Sequence, residues 1–264
     1  MLLSPWLHFA RILCAGMPPL SQSTIARGGK ALYGVPLGIL MLEARFPRIS
    51  GDMGNGTTWP FPVLYHVVRG ASPEKVVLHG ARGLLPDFIE GARELVRLGA
   101  EAITTNCGFL SLYQKELAAA AGVPVATSSL MQVPWVQATL PAGRRVGVVT
   151  ISASTLTRAH LEAAGVPPDT PVAGTENGRE FFRVLVKAEK EDMDVALAER
   201  DVVDAGKDLV ARHPEVGAIV LECTNMPPYA AALQVETGLT VYDIYSMITW
   251  FHAGLRPRVF DGPR

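Results

Sequence analysis

The feature that most constrains this chain is an internal repeat centred on two cysteines. When Cys107 is aligned with Cys223, residues of the same type recur at the same distances after each cysteine, without a gap. Such agreement over roughly thirty residues predicts a duplicated chain with two similar lobes, each carrying one cysteine at an equivalent place. The matched pairs are Cys107 and Cys223, Tyr113 and Tyr229, Leu117 and Leu233, Gly122 and Gly238, and Val125 and Val241.

Short apolar runs alternate with helical patterns along the chain from Pro36 onward. This alternation predicts an α/β fold with parallel sheets and crossover helices. Together with the repeat it predicts two pseudo-symmetric lobes, each a parallel sheet flanked by helices. The expected divisions are an N-terminal tail (1–34), a first lobe (35–130 plus 244–264, with Cys107) and a second lobe (131–243, with Cys223). The predicted strands are 37–42, 63–68, 100–105, 123–127, 145–151, 216–222 and 239–243, and the predicted helices are 85–98, 110–121, 155–164, 195–212, 228–237 and 244–254.

Composition excludes several other classes of protein. A hydrophobic fraction of 48% and a mean hydropathy of +0.22 are incompatible with a disordered chain. A net charge of −1 argues against a nucleic-acid partner, which needs a basic surface, and no apolar run reaches the ~18–20 residues that cross a membrane. Three scattered cysteines do not make a disulfide scaffold, and Cys14 is expected to be incidental. Without a clear signal peptide, a cytoplasmic location is expected.

The positions of Cys107 and Cys223 suggest their chemistry. Each lies just past a predicted strand and just before a predicted helix, where parallel sheets bind ligands and helix N-termini stabilise anions. Two thiols facing each other across a cleft would supply a base on one side of a substrate carbon and an acid on the other. The hydroxyl and amide groups beside them could bind a carboxylate or stabilise a developing carbanion; these belong to Asn106, Thr224 and Asn225.

A simpler interpretation exists for each cysteine alone, since a buried cysteine is usually a small apolar side chain. The matched positions favour a site instead. Polar residues such as Asn106 and Glu222 at the end of a buried strand cost free energy unless they face one.

The two cysteine motifs, ITTNCGF at 103–109 and IVLECTNMPPY at 219–229, resemble those of the aspartate/glutamate racemase superfamily. This group also contains hydantoin and allantoin racemases, maleate isomerases and arylmalonate decarboxylases. The resemblance covers roughly residues 37–255. It implies an active site in the cleft between two lobes, no cofactor, and Cys107 and Cys223 as the catalytic acid–base pair. It further implies substrate binding by Asn106, Gly108, Thr224 and Asn225, and by Thr150 and Ser152 in the VTISAST segment.

Two departures from the superfamily pattern bear on the substrate. Amino-acid racemases typically have Cys-Asn-Thr in the first motif, whereas here Asn106 precedes the cysteine and Gly108 follows it. The second motif carries Glu222 where those racemases usually have glycine. The swapped first motif argues against glutamate or aspartate as the substrate, because one amide and one hydroxyl ligand move or are lost. The presence of both cysteines favours a racemase or epimerase over a decarboxylase with one thiol.

The loop 45–62 follows the first predicted strand and therefore opens toward the same edge of the sheet. Its glycines, with Asp52 and Asn55, could close over a substrate, although an ordinary glycine-rich turn is the alternative. GDMGNG lacks the spacing of a dinucleotide-binding loop. The six histidines are scattered, so no metal site is expected.

These observations predict an isomerase: a cofactor-independent racemase or epimerase acting at a C–H next to a carboxylate or a hydantoin-like carbonyl. A small molecule of that kind is the expected partner, with no nucleic acid and no membrane, and the family resemblance implies a homo-oligomer. Two alternatives remain open. One is a decarboxylase or cis–trans isomerase with one thiol, of the arylmalonate decarboxylase or maleate isomerase type. The other is a two-lobed binding protein without catalysis.

Overall fold

The structure, a computed structural model, describes residues 28–258 and residue 260. Most of the predicted N-terminal tail, including Cys14, lies outside these residues. No helix within the described part is long and apolar enough to cross a membrane.

The first half of the chain forms a parallel sheet of four strands. Its central strand is buried along its whole length, because the segment LGILML offers apolar side chains to helices on both faces. The strands are β1 (Leu37–Leu42), β2 (Val63–Val68), β3 (Ala102–Thr105) and β4 (Val125–Ala126), in the order β2-β1-β3-β4. The helices of this half are α1 (Pro73–Val77), α2 (Leu85–Leu98), α3 (Gln114–Ala121) and α4 (Val133–Thr139).

The second half forms another parallel sheet with the same connectivity. Because the order β6-β5-β7-β8 repeats that of the first sheet strand by strand, the predicted α/β fold with two similar lobes is confirmed. Its strands are β5 (Arg145–Thr150), β6 (Val172–Gly174), β7 (Val216–Leu221) and β8 (Thr240–Tyr242). The remaining helices are α5 (Arg158–Ala163), α6 (Phe181–Leu185), α7 (Val195–Arg212), α8 (Ala230–Thr237) and α9 (Ile244–Leu255).

Equivalent residues of the repeat adopt equivalent backbone conformations. Gly122 ends α3 and Gly238 ends α8, and both have φ 68° and ψ 9°. Glycine suits these positions because other residues rarely adopt left-handed angles. In both halves a 3₁₀ turn separates the cysteine from its helix, at Gly108–Tyr113 and at Pro227–Tyr229. The sequence alignment of the two cysteines is therefore also a structural alignment.

Short elements are where the sequence prediction and the structure differ. The predicted helix 110–121 begins with the 3₁₀ turn, and only its second part is α-helical. The stretch between α5 and α7, which carries no prediction, contains both β6 and α6. Helices α1 and α4 were likewise not predicted. Elements of three to seven residues span less than two helical turns, which is too short for periodicity to identify.

The last helix returns to the first sheet. Ile244, Met247 and Ile248 of α9 join an apolar cluster with Leu37 and Ile39 of β1. Asp243 caps the start of this helix, and its side chain accepts a hydrogen bond from the backbone of Ser246. The domain boundaries themselves remain a prediction.

Close helix–strand packing predicts a measurable cost for one added methyl group. A Cβ at Gly147 of β5 would lie 2.8 Å from Leu209 Cδ2 of α7 and 3.1 Å from Val216 Cγ1. We expect Gly147→Ala to lower the free energy of unfolding by about 1–3 kcal/mol, because overpacking forces neighbours to shift. Urea denaturation of the variant measures this value. The control is Gly56→Ala, where nothing lies within 4 Å; equal stability of the two variants would contradict the packing.

Candidate active site

The carboxyl ends of β3 and β7 open onto one narrow pocket of about 20 Å³, and both cysteines line it. Cys107 lies two residues beyond the end of β3, and Cys223 lies two residues beyond the end of β7. The two halves of the repeat thus bring their equivalent thiols to a shared space. Its lining consists of Asn106, Cys107, Gly108 and Phe109 from the first motif, Glu222, Cys223 and Asn225 from the second, and Leu42, Phe46, Arg48, Pro73, Val77, Ile151, Leu185 and Val186.

Backbone and side-chain hydrogen bonds fix the first motif on its sheet. Asn106 donates its backbone N–H to the carbonyl of Leu40, and its Oδ1 accepts the N–H of Leu42 at 2.6 Å. This leaves the amide nitrogen of Asn106 as a donor. Thr105 Oγ1 donates to the carbonyls of Thr127 at 2.7 Å and Cys107 at 3.0 Å. The loop that carries Cys107 is therefore held on both sides.

The second motif is bonded directly to the first. Thr224 Oγ1 donates to the carbonyl of Asn106, and Ser129 Oγ donates to the carbonyls of Leu221 and Glu222 at 2.7 and 3.0 Å. Because all these atoms are buried, the bonds hold the ends of β3 and β7 at a fixed separation.

A buried aspartate connects the loop after β1 to Cys223. Asp52 accepts hydrogen bonds from Arg48 Nη1 at 2.9 Å and from Asn225 Nδ2 at 2.5 Å. Asn225 in turn lies with its Oδ1 3.5 Å from Cys223 Sγ, within reach of the thiol as donor. The Arg48 guanidinium also lies over the ring of Phe46, 4.7 Å from its centroid. Asp52 thus positions both a cation and an amide at the pocket.

Glu222 is a second buried carboxyl group, and its side chain packs against Gly108 of the first motif. Its Oε2 accepts the hydroxyl of Thr150 at 2.6 Å, whereas its Oε1 has no hydrogen-bond partner within the described part of the chain. Burial raises the pKa of Glu222 to about 7. The missing side chain of Gly108 makes room for this carboxyl, since a Cβ there would overlap Oε1.

Both thiols are buried, and burial raises the pKa of each well above its usual value. The negative charge of Glu222 raises both pKa values further. The backbone N–H of Phe109 beside Cys107, and that of Asn225 beside Cys223, act in the opposite direction. Burial is the larger obstacle to a thiolate here and the charge of Glu222 the smaller one, so a neutral Glu222 or a positive charge brought in by a ligand would lower the pKa of both thiols.

The structure brings half of the predicted site residues to the pocket itself: Asn106, Cys107, Gly108, Cys223 and Asn225. Three others are hydrogen-bonded to lining residues: Asp52 to Asn225, Thr150 to Glu222, and Thr224 to Asn106. The remaining two, Asn55 and Ser152, are not among the lining residues. Asn55 bonds to Arg48 O and to Thr57 in its own loop, and Ser152 bonds to Ser154 and Thr155 in its own.

Some lining residues were not predicted from the sequence. Arg48 lies in the glycine-rich loop but belongs to no motif. Leu185 is the last residue of the unpredicted helix α6, and Val186 follows it. Glu222 did have a sequence signal, as a charged residue directly before the second cysteine. Among the described residues, no group of three or more His, Cys, Asp or Glu side chains is arranged to hold a metal ion.

Comparison with solved structures identifies the class of fold. A mutant of arylmalonate decarboxylase in a sulfate-associated form matches with a TM-score of 0.57 and 17% identity, over 86% of this chain and 97% of that one. An Asp/Glu racemase assigned by similarity from Yersinia pestis matches with a TM-score of 0.54 and 14% identity, over 84% and 99%. A glutamate racemase isoform from Bacillus anthracis gives 0.53 and 16%, over 87% and 85%. The chain has the fold of the aspartate/glutamate racemase superfamily, as its motifs suggested.

Sequence comparison points to relatives with another reaction. A dimethylsulfoniopropionate lyase from Durusdinium sp. clade D is 27% identical over 239 residues, covering 86% of this chain and 76% of that protein. Dimethylsulfoniopropionate lyase 6 from Emiliania huxleyi is 29% identical over 243 residues, covering 86% of this chain but only 61% of its own length. No protein-family model matches the chain. The isomerase class expected from the sequence is therefore not the class that these relatives are named for.

Proposed function

We propose that this chain is a cofactor-independent enzyme that removes a proton from the carbon next to a carboxylate and then expels a leaving group from the following carbon. The observation that carries the proposal is the pair of strand-end cysteines lining one pocket. The lyase relatives supply the direction of the reaction, and dimethylsulfoniopropionate is the substrate to which they point.

The chemistry of such a lyase is proton transfer followed by elimination. One cysteine, as thiolate, takes the α-proton, and the electron pair of that C–H bond forms the new C=C bond. The bond between the β-carbon and sulfur breaks with its electron pair remaining on sulfur, so that dimethyl sulfide and acrylate are released. The α-proton remains on the cysteine, which is now a thiol. The atoms and charges of a sulfonium propionate balance without an added reactant.

Negative charge develops on the substrate carboxylate as the proton leaves. The other cysteine, still protonated, and the amide nitrogen of Asn106 are donors at the same pocket. Hydrogen bonds that strengthen as charge develops lower the barrier of such a step. Asp52 and Asn225 support this arrangement by holding the loop and the second motif together.

Racemisation or epimerisation is the second candidate, and the location of the two thiols in different lobes favours it. A substrate without a β-leaving group would give up its α-proton to one thiol and receive a proton from the other on the opposite face. The two reactions share the first step and differ only in whether a leaving group is present.

The test measures the shared step and the elimination separately. Wild-type protein is incubated with dimethylsulfoniopropionate, and dimethyl sulfide and acrylate are quantified; we expect them in equal amounts. In parallel, a panel of amino acids, hydantoins and dicarboxylates is incubated in D₂O and examined by NMR for α-deuteration. Deuteration without elimination would favour the racemase. If neither α-deuteration nor elimination occurs, the proposal is contradicted, and a binding protein without catalysis is the remaining interpretation.

A further inference from the structure

The Glu222 carboxyl is an ionisable group at the pocket that the proposed acid–base pair does not use. Its side chain belongs to the second motif but packs against the backbone of the first, at Gly108. The residue is 1% exposed. Oε2 is bonded to Thr150, while Oε1 lacks a donor in the part of the chain that the structure describes.

A buried carboxyl oxygen without a donor costs free energy, and a ligand that supplies the missing charge recovers that cost. Among the residues that the structure describes, no side chain supplies that charge at this position. Arg48 is the one cationic side chain among the lining residues, and its Nη1 is paired with Asp52. The pocket thus has one more acidic group than its own cation can neutralise.

We propose that Glu222 binds a positively charged onium group of the substrate, a sulfonium or quaternary ammonium, and so selects zwitterionic carboxylates over simple ones. This inference rests on the proposed function and specifies its substrate class. The rings of Phe46 and Phe109 line the same pocket, and aromatic faces attract onium groups. The onium centre would lie at Glu222, leaving the substrate carboxylate for the donors of Asn106 and the protonated thiol.

The same pairing favours the reactive form of the cysteines. The charge of Glu222 opposes ionisation of Cys107 and Cys223, and an onium group beside it would cancel that effect. The other charged groups around this position are Arg48 and Asp52, which already neutralise each other. Binding of a cationic substrate would therefore promote the thiolate, whereas a simple carboxylate would not.

The experiment compares two ligands of the same shape by calorimetry. The first, 3-(trimethylammonio)propanoate, carries an onium group, and the second, 4,4-dimethylpentanoate, has carbon in place of nitrogen. At pH 8 the wild type should bind the ammonium ligand at least about tenfold more tightly, as expected for a charge-assisted contact. Glu222→Gln should lose this preference while its affinity for 4,4-dimethylpentanoate stays within about twofold.

The pH dependence provides a readout that a structural role would not give. Because the pKa of Glu222 is raised to about 7, its carboxylate forms as the pH rises from 6 to 8. Affinity for the ammonium ligand should increase over this range in the wild type and stay constant in Glu222→Gln. Glu180→Gln is the matched control, since Glu180 is also buried but pairs with Lys190 outside the pocket; it should retain both the preference and the pH dependence.

Failure of this inference can be distinguished from failure of the proposed function. If Glu222→Gln keeps the wild-type preference for the ammonium ligand, Glu222 does not bind the onium group, whatever the enzyme cleaves. If the wild type prefers the ammonium ligand but cleaves no dimethylsulfoniopropionate, the site for the cation stands and the lyase reaction does not. Equal binding of the two ligands by the wild type would overturn the inference directly.

Discussion

Replacing either Cys107 or Cys223 with serine is expected to lower kcat/KM for the proton-abstraction reaction by about 10²–10⁴-fold, the contribution usual for a positioned general acid or base. A serine hydroxyl has nearly the volume of the thiol but does not ionise at accessible pH. It therefore keeps the packing and removes the base. The measurement is dimethyl sulfide release, or α-deuteration for a substrate without a leaving group.

The control for these variants is Cys14→Ser, which changes the remaining cysteine, outside the described residues. It should retain full activity. Circular dichroism and thermal unfolding should show that Cys107→Ser and Cys223→Ser are folded, because the motif backbones are held by Thr105, Ser129 and Thr224 and not by the thiols. Full activity of both variants would refute the use of the two cysteines as acid and base.

The two variants need not behave alike, and their difference identifies the mechanism. In an elimination, one thiolate accepts the proton, so one serine variant should abolish exchange while the other retains part of it through the remaining base. In a racemase, each variant should exchange the α-proton of one enantiomer only. Net racemisation would then be lost, while α-deuteration of that enantiomer would remain. Loss of all reaction in Cys223→Ser with no effect in Cys107→Ser would favour a mechanism with one thiol.

The repeat explains why so much of the fold could be predicted from the sequence. Because the second half repeats the first, each strong element supports the assignment of its counterpart: β1 with β5, β3 with β7, and α2 with α7. The two helices are long and periodic, and the strands lie in apolar runs, so their patterns survive without tertiary information. The short pieces β6 and α6 depend on tertiary contacts instead. Asp201 of α7, for example, accepts the backbone N–H groups of Arg179, Glu180 and Phe181 and so orders the segment that begins α6.

The candidate site was predictable where it lies within the motifs and unpredictable where it depends on distant segments. Asn106, Gly108 and Asn225 line the pocket because they flank the cysteines on the same strand ends. Arg48 and Leu185 come from a loop and a short helix whose positions no local pattern determines. The departure at Glu222 was visible in the sequence. Its meaning depends on its packing against Gly108, which lies 114 residues earlier in the chain.

Gly108→Ala is expected to have the largest effect of any single methyl group added at the site. Its Cβ would overlap Oε1 of Glu222 and lie 2.7 Å from the Glu222 carbonyl oxygen. The side chain can rotate away, but the carbonyl belongs to the backbone after β7 and is held by Ser129. The two motifs must therefore separate. We expect a loss of about 1–3 kcal/mol in the free energy of unfolding and a reduction of kcat/KM by about 10²-fold from the displaced catalytic geometry.

A double-mutant cycle tests whether the carboxyl is what Gly108 accommodates. Adding Glu222→Gly removes the overlapping side chain but leaves the carbonyl contact, so Gly108→Ala should cost less stability in this background than in the wild type. Residues in direct contact usually show coupling of about 0.5–3 kcal/mol, whereas separated residues are additive. Urea denaturation of the four proteins gives the coupling, and Gly254→Ala, with nothing within 4 Å, serves as the uncoupled control. Additivity of Gly108→Ala and Glu222→Gly would mean that the two motifs do not meet as the structure places them, and the geometry of the pocket would have to be revised.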